Sequence, residues 1–180
     1  MKNILTLLLL INLILTSCTG TKNTSNAAVT PDERGFLVQV GDKAPNFEMK
    51  MIDGSTQNLS DLIGKVVVLQ FTASWCKVCR EEMPHLEKDV WQMHKEDEFI
   101  LIGIDKDEPL EKVTSFIKQT GVTYPIALDP GSEIFGLFAD KQSGVTRNIV
   151  IDKKGKIVFL TRLFDEKEFD EMKNKINSII

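Results

Sequence analysis

An α/β domain, a central mixed sheet flanked by helices, is what this sequence predicts, and three observations carry the prediction. Two short, almost wholly apolar runs, Val66–Phe71 and Phe99–Ile104, have the composition of strands buried on both faces. Between them Met83, Leu86, Val90 and Met93 recur at helical spacing, so strand, helix and strand make a right-handed parallel crossover. Two further apolar runs, Asn148–Ile151 and Ile157–Leu160, flank Asp152-Lys153-Lys154-Gly155, a hairpin signal with Gly where left-handed backbone is expected. Parallel strands first and an antiparallel hairpin later give a mixed sheet with helices on both faces.

The remaining elements fall into place around these. Phe47-Glu48-Met49 and the turn signal Asp53-Gly54 predict an added N-terminal β-hairpin ahead of the first central strand. Leu110, Val113 and Ile117 mark a second amphipathic helix, followed by a short strand near Pro125–Leu128. Phe169, Met172, Ile176 and Ile179 lie along one stripe of a closing helix. There is no internal repeat, and 180 residues suit one domain, assigned to residues 37–180. With 22 Lys and Arg against 26 Asp and Glu, the chain lacks the basic footprint of a nucleic-acid binder.

The chain opens like an export signal. Lys2 is followed by a run from Ile4 to Leu15 that is apolar except for Thr6 and Asn12, and the stretch ends in Leu15-Thr16-Ser17-Cys18. That run is shorter than the roughly 20 residues needed to span a bilayer. The closing residues resemble a bacterial lipoprotein signal, which implies cleavage after residue 17 and lipid attachment at Cys18. An uncleaved anchor helix and an ordinary secretion signal are the other readings. Residues 18–36, rich in Ser, Thr and Asn, are expected to be a flexible tether. Lipidation would anchor the domain to a membrane in the cell envelope, facing the periplasm, where thiol pairs can oxidise and persist.

Three cysteines are too few for a disulfide-stapled miniprotein. Cys76 and Cys79, in Trp75-Cys76-Lys77-Val78-Cys79, stand where the first central strand gives way to a helix. Two thiols spaced in this way can join. The first lies where unpaired amides and the helix dipole stabilise a thiolate, the nucleophile of disulfide exchange. Cys76 is therefore expected to be the exposed attacking thiol and Cys79 the less accessible resolver. Lys77 adds a nearby positive charge. A zinc site would need four ligands, and His85 and His94, expected on the helix surface, are the further candidates. A structural disulfide would close only a tiny loop and stabilise little. Both readings stand beside the redox one. No metal or other cofactor is called for.

At this point the chain resembles a family. Gly41-Asp42-Lys43-Ala44-Pro45-Asn46-Phe47, and the run from Val68 through Trp75-Cys76-Lys77-Val78-Cys79 to Pro84, are similar to the TlpA/ResA branch of thioredoxin-fold oxidoreductases. The resemblance extends from about Val38 to the end of the chain. It implies a thioredoxin-like fold and a membrane-tethered thiol–disulfide oxidoreductase acting on cysteine pairs of other envelope proteins, more often as a reductant. Cytochrome c maturation is one task of the family, and reduction requires an electron donor that the chain does not identify.

The resemblance places an acidic residue near the thiols. At 100° per residue, Glu82 falls beside Leu86 and Met93 while Glu81 faces the opposite way. A carboxylate there is suited to a raised pKa and to proton transfer with a thiol. Trp75 is expected to form a recognition surface beside Cys76, and Pro84 to bend the helix. One departure is plain. Where the family has a cis-proline facing the cysteines, this chain has Thr146, and a non-proline peptide there is expected to be trans. Thr146 and Arg147, expected to bind substrate, also resemble a peroxiredoxin pair in which Arg stabilises a thiolate and polarises a peroxide. A thiol peroxidase is thus one alternative function; a thioredoxin-fold binding module with an idle Cys pair is the other.

Overall fold

The structure, a computed structural model, describes residues 30–180. The signal segment, Cys18 and most of the tether lie outside the described residues. Seven strands form one sheet in the order β2-β1-β5-β4-β3-β6-β7. β3 (Val66–Thr72) is central, parallel to β4 (Phe99–Lys106) and antiparallel to β6 (Arg147–Ile151). β5 (Ile126–Asp129) extends the parallel side, and β7 (Ile157–Arg162) closes the other edge as the hairpin partner of β6. Gly155, at φ 80°, supplies the left-handed residue that the β6–β7 turn requires. The expected N-terminal hairpin is β1 (Glu48–Met51) and β2 (Thr56–Asn58), which joins the sheet through β5.

Every residue of β3 is buried, so the strand separates two cores. Val67, Leu69 and Phe71 face one side, with Phe135 and Phe138 of α4 (Phe135–Phe138), Met49 and Ile149. Val66 and Val68 face the other. There the sheet is covered by α1 (Lys77–Leu86), α3 (Leu110–Thr120) and α5 (Glu166–Asn177), through Met83, Leu86, Val113, Phe116, Met172 and Ile176. These helices pack because their apolar residues recur at three- and four-residue spacing.

Two expectations change. The helix after the cysteines is not one regular α-helix: Pro84 sits inside α1, the next turn, Glu87–Trp91, is π-helical, and α2 (Gln92–His94) is a single turn. A π turn takes more residues than an α turn and shifts the phase of everything after it. Val90 stays buried, but Met93 is 68% exposed instead of lying on the core stripe. The tether also ends earlier than residue 36. Asp32 accepts bonds from the amides of Arg34 and Phe36, Arg34 pairs with Glu168 at 2.7 Å, and Phe36 is buried and bridged to Ala139. Phe36 belongs to the domain because an apolar ring of that size is stabilised by burial, whatever the composition of the residues before it.

Candidate active site

β3 ends at Thr72, and the loop Ala73–Trp75 delivers Cys76 to the residue just ahead of α1. Cys76 is the N-cap, with extended backbone at φ −84° and ψ 108°, and its Sγ accepts the amide of Cys79 at 3.1 Å. A sulfur in this place satisfies one of the unpaired amides of the helix start, which favours its anionic form on reduction. The two cysteines are joined in a disulfide, with their Cα atoms 5.3 Å apart. Cys79 is wholly buried, and Cys76 keeps a sliver of surface. Cys76 is thus the more accessible of the two, although far less open than the sequence leads one to expect. Lys77 is solvated and pairs loosely with Glu81, so it adds little charge at the sulfurs.

The loop ahead of Cys76 is held from two sides. The Glu108 carboxylate accepts the amide and the hydroxyl of Ser74 and pairs with Lys112 at 3.3 Å. These donors hold its pKa below the ordinary carboxylate range, against a counteracting effect of burial. Arg80 donates from Nε to the Ser74 carbonyl at 2.8 Å and stacks on Phe116. Neither stands out in the sequence: Arg80 is one of several charged residues on the exposed face of α1, and Glu108 lies in the charged loop between β4 and α3, where nothing local shows that its side chain is buried against Ser74. Trp75 projects beside the pair, 63% exposed, over a groove bordered by Lys106, Ser132 and Lys141.

Thr146 meets the sulfurs. Its hydroxyl lies 3.2 Å from Cys76 Sγ and 3.3 Å from Cys79 Sγ, and among the described residues no peptide is cis. The position that faces the pair is thus filled by a trans threonine carrying a hydrogen-bonding group. Arg147 is not brought there. One residue along a strand reverses the face, and its side chain is buried against Phe36 and Phe135, 4.5 and 5.7 Å from their ring centres. Its guanidinium donates to the Arg34 carbonyl and to Ser143 Oγ, so it fastens the N-terminal segment to the sheet.

Glu82, one turn after Cys79, is 1% exposed. Its Oε1 accepts Asn148 Nδ2 at 2.6 Å and its Oε2 accepts Gln70 Nε2 at 3.4 Å. Burial outweighs these two donors and pushes the carboxyl up to about 7, with Glu168 adding a small like-charge contribution. Sequence reasoning missed the residues beneath it. Gln70 of β3 and Asn148 of β6 are register partners, Asn148 is in turn paired with Thr161 of β7, and Gly103 of β4 is opposite Gln70. Tyr124 donates to Gln70 Oε1 at 2.7 Å. A side chain at Gly103 would strike Ile126 and crowd the Tyr124 ring, so glycine keeps this approach open. The available signal was a polar residue inside each of two apolar strands, Gln70 in Val-Val-Val-Leu-Gln-Phe and Asn148 in Asn-Ile-Val-Ile.

The assembled groups can carry out thiol–disulfide chemistry: a joined pair at a helix start, a hydroxyl on both sulfurs and a buried carboxyl one turn on. Known proteins agree with that chemistry. Residues 39–176 match the family model described as Redoxin. Thiol-disulfide oxidoreductase ResA of Bacillus cereus is 32% identical over 142 residues, covering 79% of each chain. A solution structure of a putative protein disulfide isomerase from Bacteroides thetaiotaomicron superposes with a TM-score of 0.79 at 56% identity, over 81% of this chain and 92% of that one. The crystal structure of a putative thiol:disulfide interchange protein DsbE from Chlorobium tepidum gives 0.68 at 27%, over 78% and 97%. With the fold, the paired cysteines and these likenesses in agreement, the chain belongs to the redoxin family as a thioredoxin-fold, ResA-like thiol–disulfide oxidoreductase.

Proposed function

We propose that this chain works in the cell envelope, lipid-anchored to a membrane through Cys18 and facing the periplasm, and there exchanges its Cys76–Cys79 disulfide with cysteine pairs of other proteins, chiefly as their reductant. The observation that carries the exchange reading is the sulfur of Cys76 at the α1 start, accepting the Cys79 amide. The ResA-like relatives support protein dithiols and disulfides as the substrate class. The Leu15-Thr16-Ser17-Cys18 sequence supports the anchor, and the described residues include no helix long and apolar enough to cross a membrane.

In the reductive direction the Cys76 thiolate attacks a substrate sulfur. A Cys76–substrate disulfide forms, the substrate disulfide breaks, and the departing substrate thiolate takes up a proton. Cys79 then gives its proton to the Glu82 carboxylate and attacks Cys76 Sγ, which closes the pair and releases the second substrate thiolate. The substrate gains two electrons and the protein loses them. A dithiol donor returns them by the reverse exchange. A group titrating near neutrality suits this exchange, since it accepts and returns a proton at small cost. Trp75 supplies an apolar contact surface for the substrate chain, and Thr146 Oγ1 supports whichever sulfur is anionic.

Catalysed reduction of insulin by dithiothreitol is the direct test. The wild-type protein accelerates it and Cys76→Ser removes the acceleration; equal rates with the two proteins would overturn the proposal. Equilibration with glutathione fixes the direction, where a potential below about −220 mV supports a reductant and one near −120 mV an oxidant. Membrane-fraction recovery of the wild type and its loss in Cys18→Ala test the anchor. The peroxidase alternative is weakened by Arg147, whose guanidinium bonds to Arg34 and Ser143 and to neither sulfur.

A further inference from the structure

We propose that Asn148 and Gln70 are positioning residues for the exchange reaction: their amides, paired across β3 and β6, hold the Glu82 carboxyl in place as the proton store of the Cys pair. This rests on the reading of Glu82 given above. The case is geometric. Both amide side chains are fully buried and each donates to a different oxygen of the same carboxyl. Each is itself oriented by a further contact. Tyr124 OH donates to Gln70 Oε1, which turns Gln70 Nε2 towards Glu82. Asn148 Nδ2 also reaches Thr161 Oγ1 at 2.8 Å, and the same hydroxyl oxygen accepts the Asn148 amide. Asn148 Oδ1 has no hydrogen-bond partner among the described residues. An unpaired buried acceptor carries a cost, which is understandable if the amide is turned to aim its donor at Glu82.

Two N–H donors favour the ionised carboxylate over the neutral acid and oppose burial, which favours the acid. Their joint action sets the pH at which Glu82 changes state. The other groups around Glu82 are known. Cys79 lies one turn earlier on α1, and Tyr124 approaches through Gln70. Glu168 of α5 and its N-cap Asp165 border the same small cavity. Arg34 is bound to Glu168, while Glu81 and His85 sit on the exposed side of α1. No Lys or Arg donates to Glu82 among the described residues, so the two amides are its direct support.

Iodoacetamide alkylation of the fully reduced chain, followed cysteine by cysteine against pH, tests the inference. The wild type should show an inflection near pH 7 besides those of the thiols, and Glu82→Gln should remove it. Asn148→Leu, which keeps the volume and deletes the donor, should move the inflection up by about one pH unit, and Gln70→Met by less, as its longer bond suggests. If Glu82→Gln keeps the inflection, the reading of Glu82 fails. If Glu82→Gln removes it while Asn148→Leu and the wild type coincide, Glu82 stands and the positioning proposal is overturned. Should Asn148→Leu lose its near-ultraviolet dichroism, Gln70→Met decides: an upward shift supports the proposal and an unmoved inflection overturns it.

Discussion

Replacing Asp105 with Asn should stabilise the protein strongly at pH 8 and hardly at pH 4. Asp105 lies near the end of β4 beside Thr72 of β3, is fully buried, and has no hydrogen-bond partner among the described residues for either carboxylate oxygen. Burial, reinforced by the negative charges of Glu108 and Asp129 and offset in part by Lys112, pushes its pKa from 3.8 to about 7. Between those values the folded chain holds a proton that the unfolded chain has released. Its stabilising contribution is therefore complete below about pH 4 and is lost as the pH rises through 7. A shift of about three units at ~1.36 kcal/mol each makes the loss ~4 kcal/mol. That is a large share of the ~5–15 kcal/mol a domain has in total. Asn has nearly the same shape and never ionises, so the variant avoids the loss. The assay is urea denaturation of the oxidised protein at closely spaced pH values, with the wild-type stability subtracted from that of Asp105→Asn. Glu82 is also pushed up to about 7, and it leaves a residual decline of ~3 kcal/mol in both proteins that cancels in the difference. A difference that stays constant from pH 4 to pH 8 would refute the reasoning.

Three other substitutions follow from the geometry. Thr146→Val deletes the hydroxyl that reaches both sulfurs; Cys76 alkylation at pH 6 should slow about tenfold, with the couple ~30 mV more reducing, since ~1.4 kcal/mol corresponds to both. Gly103→Ala places a methyl group 2.5 Å from Ile126 Cδ1 and 3.3 Å from the Tyr124 ring; it should cost ~1–3 kcal/mol in thermal or urea unfolding, and a neutral effect would contradict the packing described. Trp75→Ala removes the exposed indole beside Cys76; KM for a protein disulfide should rise severalfold while the rate with a small aromatic disulfide stays within a factor of two.

The elements were legible where local pattern decides them. Val66–Phe71 and Phe99–Ile104 carry enough β-branched and apolar residues to be strands in any context, and the Gly155 turn fixes the β6–β7 hairpin. The Cys pair and Glu82 were legible as well, because spacing along a single helix places them. Features set by contacts across the sheet were not. Gln70 and Asn148 meet only because β3 and β6 pair in one register, and no window of sequence contains both. Arg147 was read with its neighbour Thr146, whereas strand alternation sends the two to opposite faces. Met93 fits the helical stripe until the π turn at Glu87–Trp91 rotates it outward. Phe36 was hidden by the polar residues before it, since its place depends on Arg147 and Ala139, more than a hundred residues away.

The central claim is that Cys76 attacks and Cys79 resolves. Reduced Cys79→Ser, mixed with a disulfide-bonded protein and quenched in acid, should accumulate a mixed disulfide that peptide mapping assigns to Cys76, while reduced Cys76→Ser accumulates little. Equal trapping through Cys79 in the second variant, or none in the first, would contradict it.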